Sequence, residues 1–474
     1  MSAISHLLAS ISPLLSTLEN AIQEISHVPS EVDTLRKHLE QASEIVEKSI
    51  MVEKSLRSRY AATLNTISPV MVLPRWIILD VFYMAVHAEE ETTSRPADIS
   101  LVCRSWRDLA GSCAVLWTKV HVDATKVYML ENLSTKVKRV PIELDIQRKR
   151  GGDHLWMFNN KKMPRIGSLR MTLAQDYWRF VPFRLLEDGR IDTSDLKTLD
   201  LRMDPSIYRG HGSGFCNVSL NHINAPLLRT FKIQEFKITS MPNVPFHLTT
   251  LSICRTAMEY ETLRQFLEHS PDLEELSIYS ISFFRGDSEL YEALPVTLPR
   301  LKRFALEATS YMQFVTLVLP LGAPGLESLS ITVNFDGEDG DLWADHKYAS
   351  ILKSFLSRVS THTLIRVALF SLTGIICEFI KVLDARYPNN NNNRSRGLEA
   401  LTLGISTEWL DENDPENLCT RDHLRVLVET LATHCQPLRE LHLSKALVGS
   451  EEFRRDLERW VGVLNIDTNR PYVT

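Results

Sequence analysis

One spacing recurs from about residue 137 to the end of the chain and limits what it can fold into. It is an apolar residue, a second one three positions on, and a third two positions beyond that. It occurs as Ile166-Leu169-Met171, Leu196-Leu199-Leu201, Leu228-Phe231-Ile233, Leu248-Leu251-Ile253 and Leu273-Leu276-Ile278. It returns as Leu301-Phe304-Leu306, Leu326-Leu329-Ile331, Leu364-Val367-Leu369, Leu398-Leu401-Leu403 and Leu438-Leu441-Leu443. Val137-Val140-Ile142 reads as a weaker first copy. The last two apolar positions of each copy alternate, as in a short strand with every second side chain inward. The leading residue packs beneath the turn into that strand. One such unit cannot bury its own apolar face, so neighbouring units must stack.

The intervals between copies run from 20 to 40 residues, and several carry helical spacing. Residues 261–269, 348–359, 375–387 and 421–435 are expected helices, and a last one from Ser450 to about Trp460 would cap the final repeat. Pro271, Pro299, Pro324 and Pro437 each stand just before a repeat strand, where proline ends a helix and turns the chain back. The pattern resembles the leucine-rich repeat, in which parallel strands stack into a solenoid. That family usually has Asn or Cys after the second strand leucine. Here Ala308, Val333 and Ser371 occupy such positions, so a less regular arrangement is expected.

Ahead of the repeats, Ser68–Val122 has another character. Its front half runs SPVMVLPRWIILDVFYMAVHA and its back half ISLVCRSWRDLAGSCAVLWTKVHV. Glu89–Leu101 reads as a polar connection between them. Pro74 suits a first helical turn. The run after it is too apolar for a helix with one covered face and asks to be covered on several sides. A unit this small buries too little surface to be strongly stable alone.

The segment resembles an F-box. The family's motifs appear in order as Leu73-Pro74, Ile78-Leu79, Val81-Phe82, Val102-Cys103-Arg104-Ser105-Trp106, Leu109-Ala110 and Leu116-Trp117. Arg75-Trp76-Ile77 departs from the polar pair that usually follows the opening Leu-Pro, and the connection is longer than usual. The resemblance implies an all-helical module that binds a Skp-family protein and, through it, a cullin–RING ubiquitin ligase. The residues it would use are Leu73, Pro74, Ile78, Val81, Phe82, Cys103, Trp106 and Trp117.

Residues 1–66 read as helical, with Pro13 opening one helix to about residue 27 and Ser30 capping a second that ends near Leu64. Val32, Leu35, Leu39, Ala42, Val46 and Ser49 share one face of the second. A helical hairpin and a coiled coil with a partner chain both fit. Such a lead-in before a divergent F-box is typical of many F-box proteins of mushroom-forming fungi.

Composition and charge narrow the function. The net charge of −6 argues against a nucleic-acid binder held by bulk electrostatics. The basic clusters at Lys136, Lys138 and Arg139 and at Arg148–Arg150 read as solvated turns beside strands. Seven scattered cysteines without a Cys-x-x-Cys pair suit an intracellular protein with reduced thiols, in cytoplasm or nucleus. The first residues lack the pattern of a signal peptide, and the run Phe314–Leu321 is far shorter than a membrane span. Gly210, Gly212 and Gly214 lack the spacing and flanking strand of a dinucleotide loop. The acidic loop 336–341 fails the calcium-loop spacing, and His434-Cys435 lacks paired zinc ligands. Neither a Gly-x-Ser-x-Gly nor a His-Glu-x-x-His occurs.

The expected protein is therefore α+β, with three parts. These are a helical hairpin or coiled coil at 1–66, an all-helical F-box at 67–122, and an α/β leucine-rich-repeat solenoid with parallel strands at 123–474. It would act as an adaptor that presents a protein substrate to the ligase, with no enzyme activity, metal, cofactor, nucleic acid or membrane. The alternative is a repeat scaffold that binds protein without engaging a ligase.

Overall fold

The computed structural model describes residues 13–17, 19–21, 29–67, 69–87, 95–123, 137, 140–147, 165–173, 192–203, 216–221, 223–240, 246–283, 295–333, 344–359, 364–371, 373–386, 398–405, 415–434, 438–448 and 450–467. They form a mixed helix-and-strand protein dominated by a large parallel sheet. The chain divides into two compact units between Trp117 and Thr118.

The first unit is helical. It contains α1 (Pro29–Thr66), α2 (Pro69–Val72), α3 (Arg75–His87), α4 (Arg95–Val102), α5 (Arg104–Ser112) and a 3-10 turn at Ala114–Trp117. Helix α3 starts directly after Pro74, whose carbonyl accepts from the Ile77 N–H at 3.0 Å. The stretch read as a polar connection is helical over Arg95–Val102. Pro96 lies in its first turn, and Ser100 Oγ donates to the Pro96 carbonyl at 2.7 Å. Extended backbone at Cys103 then breaks the run before α5, and the Cys103 Sγ accepts from the Trp106 N–H at 3.5 Å. One polar connection between two helices thus becomes three helices and a capped corner.

The second unit opens with β1 (Lys119–Asp123), β2 (Ile142–Gln147), β3 (Ile166–Leu173), β4 (Thr198–Met203), β5 (Cys216–Ser219), β6 (Thr230–Gln234), β7 (Phe236–Ser240), β8 (Thr250–Cys254) and β9 (Ala257–Met258). Helix α6 (Tyr260–Glu268), β10 (Glu275–Tyr279), β11 (Ser282–Phe283), β12 (Val296–Thr297), β13 (Arg303–Ala308), α7 (Tyr311–Val318), β14 (Leu321–Gly322) and β15 (Ser328–Val333) follow. The rest is α8 (Ala344–Ser357), β16 (Arg366–Ser371), α9 (Thr373–Arg386), β17 (Ala400–Ile405), α10 (Pro415–His434), β18 (Glu440–Ser444), α11 (Lys445–Val448), α12 (Glu451–Glu458) and β19 (Val463–Asp467).

Thirteen of these strands form one parallel sheet in the order β1-β2-β3-β4-β6-β8-β10-β13-β15-β16-β17-β18-β19. The repeat spacing sets its register. Leu169, Leu199, Phe231, Leu251, Leu276, Phe304, Leu329, Val367, Leu401 and Leu441 lie side by side across it, all buried. In five copies the leading residue closes the turn before its strand. The N–H groups of Leu196, Leu228, Leu273, Leu301 and Leu326 each donate to the carbonyl three residues back, at 3.0–3.2 Å. Pro226, Pro271, Pro299 and Pro324 occupy the second position of their turns, where a fixed φ suits.

The first copy has a different frame from the expected Val137-Val140-Ile142. Ile142 pairs with Ile166, Leu144 with Leu169 and Ile146 with Met171, with a shift between Ile142 and Glu143. Val137 and Val140 instead form the preceding turn. Strands β1 and β19 extend the sheet past both ends of the pattern, so a strand, not a cap helix, is the last described element.

The inward face, which carries the leucine row, is covered by helices and by a second sheet. In the shortest interval, Leu228 to Leu248, β6 is followed by β7, which pairs in a second parallel sheet, β11-β9-β7-β5. The intervals that begin at Leu248, Leu301, Leu326, Leu364 and Leu398 hold helices, up to the 20 residues of α10. Phe355 of α8 meets Phe304 of β13 with ring centroids 6.0 Å apart, and Phe266 of α6 meets Phe231 at 5.5 Å. Glu235, Arg255 and Ser280 end three neighbouring strands at φ of 66°, 44° and 50°, where the chain leaves the main sheet.

Several expectations fall outside the described residues. They are the basic clusters, the glycines at 210–214, the acidic loop 336–341, Cys435, Pro437 and much of the first N-terminal helix.

Candidate partner-binding surfaces

The eight residues singled out in the helical unit divide by depth. Ile78, Phe82 and Trp117 are buried. Trp106 and Cys103 are half-buried, and Leu73, Pro74 and Val81 are exposed. The Phe82 and Trp106 rings pack with centroids 4.8 Å apart, tilted by 59°. The Trp117 indole N–H donates to the Ala110 carbonyl at 2.8 Å, satisfying the one polar group of a buried ring. These aromatic residues hold α3, α5 and the 3-10 turn together.

Around that small core lies uncovered apolar surface. Leu73, Ile78, Leu101, Val102 and Cys103 line an open groove of about 770 Å³. Ala61 and Ala62 of α1 form its other wall. Leu101 is 74% exposed and Val102 61%. Helix α3 is also bare at Trp76, 65% exposed, and at Val81 and Met84. Trp76, Met84 and Leu101 are the surface residues that motif matching passes over. For Trp76 and Met84 the signal was the apolar run with no polar face, which names no single position, and Leu101 ends the stretch read as a polar connection.

The sheet supplies a second surface. Between the inward leucines, alternate side chains project from its other face. Over β3–β8 one row reads Arg170, Asp200, Lys232, Ser252, and the next reads Thr172, Arg202, Gln234, Cys254. The Asp200 side chain is only 4% exposed. It accepts two 2.8 Å hydrogen bonds from Arg202 and lies 3.4 Å from Arg170 Nε. The bond to Asp200 holds the Arg202 guanidinium charge even more firmly than usual. Beside this cluster, buried Glu235 lies 3.4 Å from the exposed Arg255. Burial raises the Cys254 thiol and the Tyr279 phenol above their ordinary values.

Across β10 and β13 the charges neutralise one another at the surface. Asp272–Arg300, Glu274–Lys302 and Glu275–Arg303 meet at 2.8, 3.0 and 2.9 Å. The hydrogen bond from Lys302 holds the Glu274 carboxyl below its ordinary range. Among the described residues, no group of three or more His, Cys, Asp or Glu side chains converges to hold a metal. None of the described helices is long and apolar enough to cross a membrane.

No known family profile matches the chain, and no curated protein matches it.

Proposed function

We propose that this chain is a substrate-recognition adaptor of a Skp–cullin–F-box ubiquitin ligase. Its helical unit would be the F-box, and its stacked strands a leucine-rich-repeat solenoid. The observation that carries this reading is the bare apolar surface beside the helical core, at Leu73, Leu101 and Val102 around the groove. A surface of that kind is costly to leave in water and suits the core of an interface. A Skp-family protein laid over it would complete the burial that the small unit lacks. The sheet face would hold a protein substrate, and the adaptor's work would be to raise the substrate's effective concentration at the ligase. No bond chemistry is asked of this chain.

Co-purification tests the reading. The full chain, expressed with a Skp-family protein and a cullin, is expected to elute with both. If the folded chain elutes alone, the adaptor role falls, and the sheet face remains as that of a repeat scaffold.

A further inference from the structure

We infer that the sheet face over β3–β8 is a docking site for an acidic, Asp- or Glu-rich segment of the protein substrate. The inference rests on the reading of the sheet as the substrate-binding face. What carries it is a difference in depth between cations and anions. On these four strands the outward-facing positions hold three cations, Arg170, Arg202 and Lys232, and one carboxylate, Asp200. That carboxylate is buried, whereas Arg170 and Arg202 are 55% and 43% exposed. The same inversion recurs one step along, where Glu235 is buried and Arg255 is 64% exposed. Solvent therefore meets guanidinium and ammonium groups, while the carboxylates lie beneath.

The buried carboxylates also fix geometry. Arg202 spends Nε and Nη2 on Asp200, and Arg170 approaches with Nε. Among the described residues no other partner takes the remaining N–H groups of either guanidinium, and a carboxylate takes two such groups in parallel. Lys232 lies directly across from Asp200 and makes no ion pair among the described residues. Holding the arginines in advance lowers the ordering cost of binding.

The patch has edges. On one side Asp145 of β2 faces His121 of β1 at 3.1 Å. On the other the paired charges of β10 and β13 begin. Four strands span about 15 Å, which an extended peptide covers with roughly five residues. A long polyanion such as nucleic acid is disfavoured by the net charge of −6, which leaves a short acidic stretch of protein as the fitting partner.

The test uses the full chain and a fluorescein-labelled hexaglutamate peptide, read by anisotropy, with hexaserine as the neutral control. Removing Arg202 strands a buried Asp200, so that variant can fail by unfolding. Lys232→Ser avoids this, because Ser252 occupies the same row one strand away. Binding of hexaglutamate but not hexaserine is expected, weakened about tenfold in Lys232→Ser and further as salt rises. Equal binding of both peptides, no binding of hexaglutamate, or an unchanged affinity in Lys232→Ser would overturn the inference. So would capture of a phosphoserine peptide alone. Peptide binding and Skp capture are separate readouts, so loss of one leaves the other interpretable.

Discussion

The Phe82 and Trp106 rings meet at 4.8 Å across the corner that Cys103 makes between α4 and α5. Phe82 comes from α3 and Trp106 from α5, so this contact joins the two halves of the helical unit. Trp106→Ala removes it and leaves a cavity beside a buried phenylalanine. We expect a loss of roughly 2–4 kcal/mol in the stability of that unit, with Trp106→Phe retaining most of it. Chemical denaturation followed by circular dichroism measures both.

Two glycines should respond in opposite ways. A Cβ on Gly325 would stand 2.9 Å from the Pro299 carbonyl oxygen of the neighbouring turn, while one on Gly111 of α5 would meet nothing within 4 Å. Gly111→Ala is expected to stabilise by about 0.5–1 kcal/mol, as in an open helical site. Gly325→Ala forces the two turns apart and is expected to destabilise by roughly 1–3 kcal/mol. Melting curves of the two variants side by side decide the matter.

The charge rows on β10 and β13 predict a pH effect of known sign. The Glu274 carboxyl titrates lower when folded, chiefly through its hydrogen bond from Lys302. Its contribution to stability is therefore present above the ordinary carboxylate range and is lost as pH falls through the depressed value. Removing the ammonium by Lys302→Met should make the acid side of the stability–pH curve shallower. Urea titrations at several pH values between neutral and strongly acidic compare the two curves. An identical acid limb would discount the pair.

The leucine row couples neighbours. Leu251 lies between Phe231 and Leu276, and all three are buried. Leu251→Ala is expected to cost about 2–5 kcal/mol. The effect should spread, since each repeat is held by its neighbours. Hydrogen exchange should quicken on β6 and β10 as well as on β8. Acceleration confined to β8 would contradict that coupling.

Cys254 gives a local reporter on the same sheet face. Burial raises its thiol, so alkylation should be slow at neutral pH and speed up only above the usual thiol range. Mass spectrometry of iodoacetamide-treated protein across pH reads this directly.

Most of the sheet was legible because its signal is redundant. Ten copies of one spacing agree on which residues point inward, and the register follows from them. The frame at Ile142 was not legible, since Val137-Val140-Ile142 satisfies the same pattern and only the shift beside Glu143 rejects it. Strand β9 is two residues long, too short to show alternation. The left-handed turns at Glu235, Arg255 and Ser280 carry none of the Gly or Asn that usually marks them. Asp200 reads as an outward, solvated residue, and its burial arises from arginines on its own and the adjacent strand. In the helical unit the aromatic contacts follow the motif. The bare surface at Trp76 and Leu101 depends on what packs against what, which spacing does not encode.

The most direct measurement is a calorimetric titration of the full chain with a purified Skp-family protein. A Kd of about 1 µM or tighter is expected, with a negative heat-capacity change from apolar burial. Binding should be lost in a Leu73→Ser/Leu101→Ser variant whose unfolding curve is unchanged. A folded wild-type chain that does not bind, or a double variant that binds as tightly, would contradict the adaptor role.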